Sequence, residues 1–130
     1  ALFWDHGYGT AYPDLPFENA AVVLTRIVSK PGTDRLCLDL GHKAIASEGP
    51  LDKRVHLPGL EDARAIGHSE EHLVLEVEAP GRHALGEAYL GVPHHICPTV
   101  ALYQEAFLIR DGAVTGESWE VTARNRRLTI

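Results

Sequence analysis

"NAAVVLTRIVSKPGTDRLCLDLG", Asn19 to Gly41, decides how the rest of the chain is read. Its first half is rich in β-branched residues, which pack well on a pleated surface. Pro31 presets φ and Gly32 supplies a positive φ, so 31–34 reads as a turn. After the turn Leu36, Leu38 and Leu40 alternate with Arg35, Cys37 and Asp39, the period of two of a half-buried strand. The stretch therefore predicts a strand over Asn19–Lys30, a tight turn, and a returning strand over Arg35–Gly41.

The same grammar extends in both directions. "GHSEEHLVLEVE" puts Leu73, Leu75 and Val77 on one strand face, with Glu70 and His72 sharing a face and His68 and Ser69 in the preceding turn. "PGRHALGEAYLGVP" predicts a turn and then a strand from Glu87 to Val92, and "RVHLPGL" a short extended piece. "EAFLIRDGAVTGESWEVTAR" carries Asp111-Gly112 between two apolar runs, the signature of a type I′ hairpin whose last strand contains Trp119 and Val121. "HKAIASEGPLDKR" is expected to hold a short helix or turn. The opening "ALFWDHGYGTAYPDLPFE" is expected to be an irregular lead-in that packs its rings. About seven short strands, no helix beyond two turns and no heptads, repeats or linker predict an all-β, small barrel-like single domain over residues 1–130.

At 130 residues a chain can bury a core without staples. A net charge of −6 argues against nucleic acid, and the basic stretch Arg124, Arg126 and Arg127 is too short for a phosphate-binding stripe. No apolar run approaches a membrane span and no signal peptide is visible. Cys37 and Cys97 are therefore expected as thiols in a reducing, cytoplasmic compartment. The chain starts with Ala and contains no Met, which suggests a piece of a larger product.

The candidate chemistry centres on "GVPHHICPTVAL", Gly91 to Leu102. If the segment is extended, His95 and Cys97 point to one side. Imidazole and thiolate are both zinc ligands, and two of them suit an open site in which water or substrate completes the shell. A packed cysteine beside a half-exposed histidine in a turn accounts for the same spacing. In "HSEEH", Glu71 and His72 could support such a site, as could His94; a solvated polar turn is the alternative. In "DLGHK", Asp39, His42 and Lys43 end a strand, with Lys43 read as a surface or subunit-contact residue. No dinucleotide, P-loop or Ser-nucleophile motif occurs.

"VPHHICPTVAL" followed by "FLIRDGAVTGESWEVTARNRR" resembles the C-terminal domain of the D-threonine aldolase and D-serine dehydratase family, whose usual pattern is Pro-Asn-His-Val-Cys-Pro-Thr-Val-Asn. "LDLGHKAIASEGP", "SEEHL" and "FWDHGY" resemble further stretches of that domain, in the same order. The departures are His94 and Ala101, each standing where Asn is usual.

That resemblance implies a pyridoxal-phosphate enzyme of alanine-racemase-like fold, acting on D-β-hydroxy amino acids. It implies zinc or another divalent metal on His95 and Cys97, and the cysteine leans toward the dehydratase branch, since aldolases carry Asp there. The cofactor would be the electron sink and the metal a Lewis acid on the substrate's β-oxygen. The Schiff-base lysine would belong to an N-terminal barrel absent here, since Lys30, Lys43 and Lys53 lie outside the relevant motif. This chain alone is then expected to be inactive, and a homodimer is expected of the whole enzyme. The competing expectation is a stand-alone β-barrel that binds a metal or partner without catalysis.

Overall fold

The computed structural model describes residues 3–125 and 127–129; Arg126 of the basic stretch lies outside them. Strands β1 (Val23–Ser29), β2 (Arg35–Leu38), β3 (Val55–His56), β4 (Arg64–His68), β5 (Leu73–Glu76) and β6 (Ala88–Pro93) form one sheet in the order β3-β6-β1-β2-β5-β4. Every ladder in it is antiparallel. Strands β7 (Glu105–Arg110) and β8 (Ala113–Glu120) pair only with each other. Two short helices, α1 (His6–Ala11) and α2 (Ile96–Val100), complete the architecture with a few 3-10 turns.

The all-β expectation holds, and the barrel takes the form of a curled half-barrel. Its ladder ends at β3 and β4, so closure by hydrogen bonds is incomplete. The connection between those edges instead buries Leu57 and Leu60 in the core, with Leu51, Val55, Ala63 and Ala65 packed against it.

The opening hairpin forms as expected, although β1 starts at Val23 because Asn19 is engaged in a parallel bridge with Trp4. Along β1, Val23, Thr25 and Ile27 face inward while Leu24, Arg26 and Val28 face out. Thr25 is a polar residue in the core, and its hydroxyl donates to Asp39 Oδ1 at 3.0 Å, which removes the cost of burying it. Leu36 and Leu38 of β2 lie opposite Leu75 and Leu73 of β5, and all four are buried. Burying side chains of this kind contributes about 1.5–3 kcal/mol each.

The type I′ turn is present as read: Asp111 has φ 51° and Gly112 φ 76°, and Arg110 pairs with Ala113. This hairpin projects from the sheet, with Phe107, Ile109, Val114 and Trp119 all exposed.

Three expectations need correction. The lead-in is not irregular throughout: His6–Ala11 is helical despite two glycines, because Asp5 caps it and its aromatics stack. Trp4 stacks on Tyr8 with ring centroids 5.4 Å apart and tilts against Phe17 at 5.0 Å. Second, "HSEEH" is a hairpin connection: His68 ends β4, and Ser69 to His72 form the turn, with the Ser69 N–H donating to the His72 carbonyl at 2.8 Å. Arg64–His68 carries too little alternation to be read as a strand, and its pairing with β5 makes it one. Third, "HHICPTV" is not extended beyond His95, as described next.

Candidate metal centre

The chain turns from β6 into α2 at His94 and His95. Pro93 ends the strand, and the His94 N–H donates to the Arg54 carbonyl at 3.0 Å. His95 is the last extended residue (φ −129°, ψ 106°) and the N-cap of α2. Cys97 therefore sits in the first helical turn. Strand alternation does not relate the two side chains; a strand-to-helix junction does. Pro98 is tolerated there because a first-turn N–H has no partner within the helix.

The His95 side chain does not cap its own helix. That work falls to Asp5, whose Oδ2 accepts the Ile96 N–H at 2.9 Å and whose Oδ1 accepts the Tyr8 N–H at 2.8 Å. One buried carboxylate thus terminates α1 and α2 together. The imidazole of His95 is left for another partner. Its Nδ1 lies 2.6 Å from Glu48 Oε2, and a carboxylate can only accept, so Nδ1 carries the proton. In the neutral ring the lone pair is then on Nε2.

Glu48 comes from the loop after β2, and that loop is tied to the α2 region three times. Ala46 N–H donates to Thr99 Oγ1 at 3.1 Å, Thr99 Oγ1 donates to the His95 carbonyl at 2.9 Å, and Tyr103 OH donates to the Ala44 carbonyl at 2.7 Å. Thr99 is fully buried. Helix α1 closes the other side. Gly7 N–H donates to the His94 carbonyl at 3.0 Å, and a Cβ on Gly7 would lie 2.5 Å from that oxygen, so only glycine permits the approach.

Between these elements lies a cleft of about 480 Å³, within the range of small-molecule sites. His94, His95, Glu48, Arg54, Tyr8 and Tyr12 are among its lining residues. No lysine lines it. Cys97 is exposed with a free thiol, and Cys37 is free and buried in β2. Among the described residues no group of three or more His, Cys, Asp or Glu could hold an ion. His95, with Nδ1 satisfied and Nε2 open, and the exposed Cys97 thiol two residues on fit a divalent metal as a two-ligand, open site. They do not fit pyridoxal phosphate, which needs a lysine: Lys30 Nζ donates to the His83 carbonyl and Lys43 is paired with acids.

Of the supporting residues read from sequence, His94 reaches the cleft, whereas Glu71 and His72 do not line it. "DLGHK" and "SEEH" meet each other instead. His42 and Lys43 N–H groups donate to the Ser69 and Glu70 carbonyls at 2.9 and 3.1 Å, and Lys43 Nζ pairs with Glu71 at 2.7 Å and Glu70 at 3.2 Å. Asp39 serves the β1–β2 hairpin, accepting from Thr25 and from the Arg26 N–H and guanidinium. Burial pushes its carboxyl up, but these donors outweigh it and hold it below the usual value.

A second histidine group lies behind the cleft. His68 accepts from Arg54 Nη1 at Nδ1 (2.8 Å), because a guanidinium only donates, and its Nε2–H donates to the Leu40 carbonyl at 2.9 Å. Both ring nitrogens are satisfied in the neutral form. Burial lowers its pKa, and nearby His42 and Arg54 lower it further against the opposing Leu40 contact. His6 stacks on His56 at 4.7 Å; burial first, then His56 and His94, lower its pKa.

Asp5, Glu48, Thr99 and Arg54 were not singled out from sequence. Asp5 had a local signal, an N-cap residue ahead of the helix. Glu48 had none, because its partner is 47 positions away.

The family model of the serine dehydratase domain matches residues 20–109, which is more than half of the chain and includes His95 and Cys97. The chain belongs to this family. As a serine dehydratase domain it is 40% identical over 126 residues to a D-threonine aldolase of Arthrobacter sp, covering 94% of this chain and 32% of that protein. It therefore spans about a third of that relative's length. It is 30% identical over 117 residues to the uncharacterised protein Rv1414 of Mycobacterium tuberculosis, covering 87% of this chain and 86% of that protein. Among solved structures, a D-threonine aldolase from Filomicrobium marinum superposes with a TM-score of 0.77 at 30% identity, covering 94% of this chain and 33% of that one. A D-threo-3-hydroxyaspartate dehydratase, solved as a cysteine-to-alanine mutant in its metal-free form, shares the fold at TM-score 0.67 and 18% identity, covering 91% of this chain and 36% of that one.

Proposed function

We propose that this serine dehydratase domain is the metal-bearing C-terminal part of a lyase acting on D-β-hydroxy amino acids, and that His95 and Cys97 are its ligands to zinc or another divalent cation. One observation carries the reading: Glu48 takes the proton-bearing Nδ1 of His95 at 2.6 Å, leaving Nε2 as the only ring atom able to ligate, at the rim of a cleft of substrate size. Similarity to a D-threonine aldolase supports the substrate class.

A bound divalent cation would supply Lewis acidity toward a substrate β-oxygen. The residues of this chain do the rest. His95 and Cys97 occupy only part of a coordination shell. Asp5 and Thr99 fix the junction that carries them, and Arg54 adds a cation to the cleft wall, suited to a substrate carboxylate. Pyridoxal phosphate is expected on an N-terminal barrel outside this chain, and the homodimer belongs to that larger enzyme.

The test uses the full-length protein. Metal analysis should find a divalent ion, and D-serine or D-threonine should yield either pyruvate or 2-oxobutanoate, the mark of a dehydratase, or glycine plus an aldehyde, the mark of an aldolase. Cys97→Ala should abolish turnover while leaving cofactor absorbance intact. Unchanged turnover in that variant, or in strong chelator, would remove the metal assignment.

A second reading, a non-catalytic module that binds a metal or partner, draws on the mycobacterial relative, 86% of which is covered by this domain alone. Metal binding at His95 with no product from either amino acid would favour it.

A further inference from the structure

We propose that Glu48 is a positioning residue for the metal: its carboxylate selects the tautomer and rotamer of His95 that present Nε2 to the cation. The inference rests on the metal reading above and adds a residue outside the His95–Cys97 motif.

The Glu48–His95 contact is short, yet the side chains are 60% and 44% exposed. Exposed ion pairs contribute about 0–1 kcal/mol to stability, so folding alone gives little reason to keep this one. The surrounding structure nonetheless holds the pair closely. The Ala44–Glu48 loop is pinned by the Thr99 hydroxyl, which is fully buried and donates onward to the carbonyl of His95 itself. Tyr103 pins the same loop two residues earlier, at Ala44. Acceptor and imidazole are thereby set against each other by one buried hydroxyl. Left to water, a neutral imidazole exchanges its proton between both nitrogens and its ring turns freely about χ2. A carboxylate on Nδ1–H removes both freedoms and raises the basicity of Nε2, and loss of such a partner typically costs 10–100-fold in metal affinity.

The test is the zinc dissociation constant of the full-length protein, measured by chelator competition in wild type, Glu48→Ala, Glu48→Gln, His95→Ala and Cys97→Ala, together with the Tm of each metal-free protein. Glu48→Ala is expected to weaken zinc roughly 10–100-fold without shifting the metal-free Tm. Glu48→Gln should recover part of that loss, since its amide oxygen still accepts from Nδ1–H. Zinc affinity untouched by His95→Ala and Cys97→Ala would overturn the metal reading itself. A strong loss in those two with wild-type affinity in Glu48→Ala would overturn only the role of Glu48. Equal loss in Glu48→Gln and Glu48→Ala would make Glu48 a direct ligand, and a lowered metal-free Tm would make it structural; either result rejects positioning.

Discussion

Asp5 does more for this structure than its place near the start of the chain suggests. Its two carboxylate oxygens satisfy one N–H at the start of each helix, and it is buried. Asp5→Ala would leave both donors without their partner, and the expected cost is roughly 2–4 kcal/mol in urea unfolding. Asp5→Asn keeps one acceptor oxygen and should lie between. His68 sets a pH dependence. Its folded pKa is below the ordinary 6.5, mainly through burial, so the unfolded chain binds the extra proton first. Stability from the neutral ring is then complete above about pH 6.5 and falls as the pH drops below it. His68→Gln can still accept from Arg54 and donate to Leu40 but does not titrate there. Its Tm should decline less than that of wild type between pH 7 and 5, and parallel declines would assign the acid sensitivity to other groups, His6 foremost.

Among the elements, the β7–β8 hairpin and the crossing at Gly41 behave oppositely. The hairpin pairs only with itself, and its strands are exposed apart from the half-buried Leu108. Gly112 holds φ 76° in its turn, where a β-branched residue is strained. Gly112→Val should therefore speed hydrogen exchange in Glu105–Glu120 while leaving core amides at wild-type protection. Slowed exchange throughout, or loss of core protection, would mean that the hairpin is coupled to the sheet. Gly41 sits where the loop after β2 crosses the β4–β5 turn, and a Cβ there would lie 2.2 Å from the Glu70 carbonyl oxygen. Gly41→Ala forces those two backbones apart and breaks the His42 and Lys43 contacts with that turn, so it should lower the Tm of the whole sheet.

For the whole molecule, a ligand that binds only the native state stabilises it by mass action. Divalent metal at 100 times its Kd should add about 2.7 kcal/mol to the full-length protein, and His95→Ala or Cys97→Ala should erase that gain; a gain that survives both places the metal elsewhere. Much of the architecture was legible in the residues. Alternating leucines gave β2 and β5 their buried faces, and Asp111-Gly112 dictated a type I′ turn, because period and φ preference are local properties. Family membership was legible too, through "HHICPTV", "DLGHK" and "SEEHL" in their order. Arg64–His68 was not, because a short strand with weak alternation becomes one only when β5 supplies its hydrogen bonds. Nor was the helical start of "ICPTV", whose N–H cap arrives from Asp5, 91 positions away. The sequence by itself determined the strand faces, the turns and the pair of candidate ligands. Tertiary structure alone decided which carboxylate meets His95, which residues wall the cleft, and that Lys43 neutralises Glu70 and Glu71 instead of facing the site. The reason is that such contacts join segments tens of residues apart, and local propensity carries no information about which distant groups the sheet's curl will bring within hydrogen-bond reach.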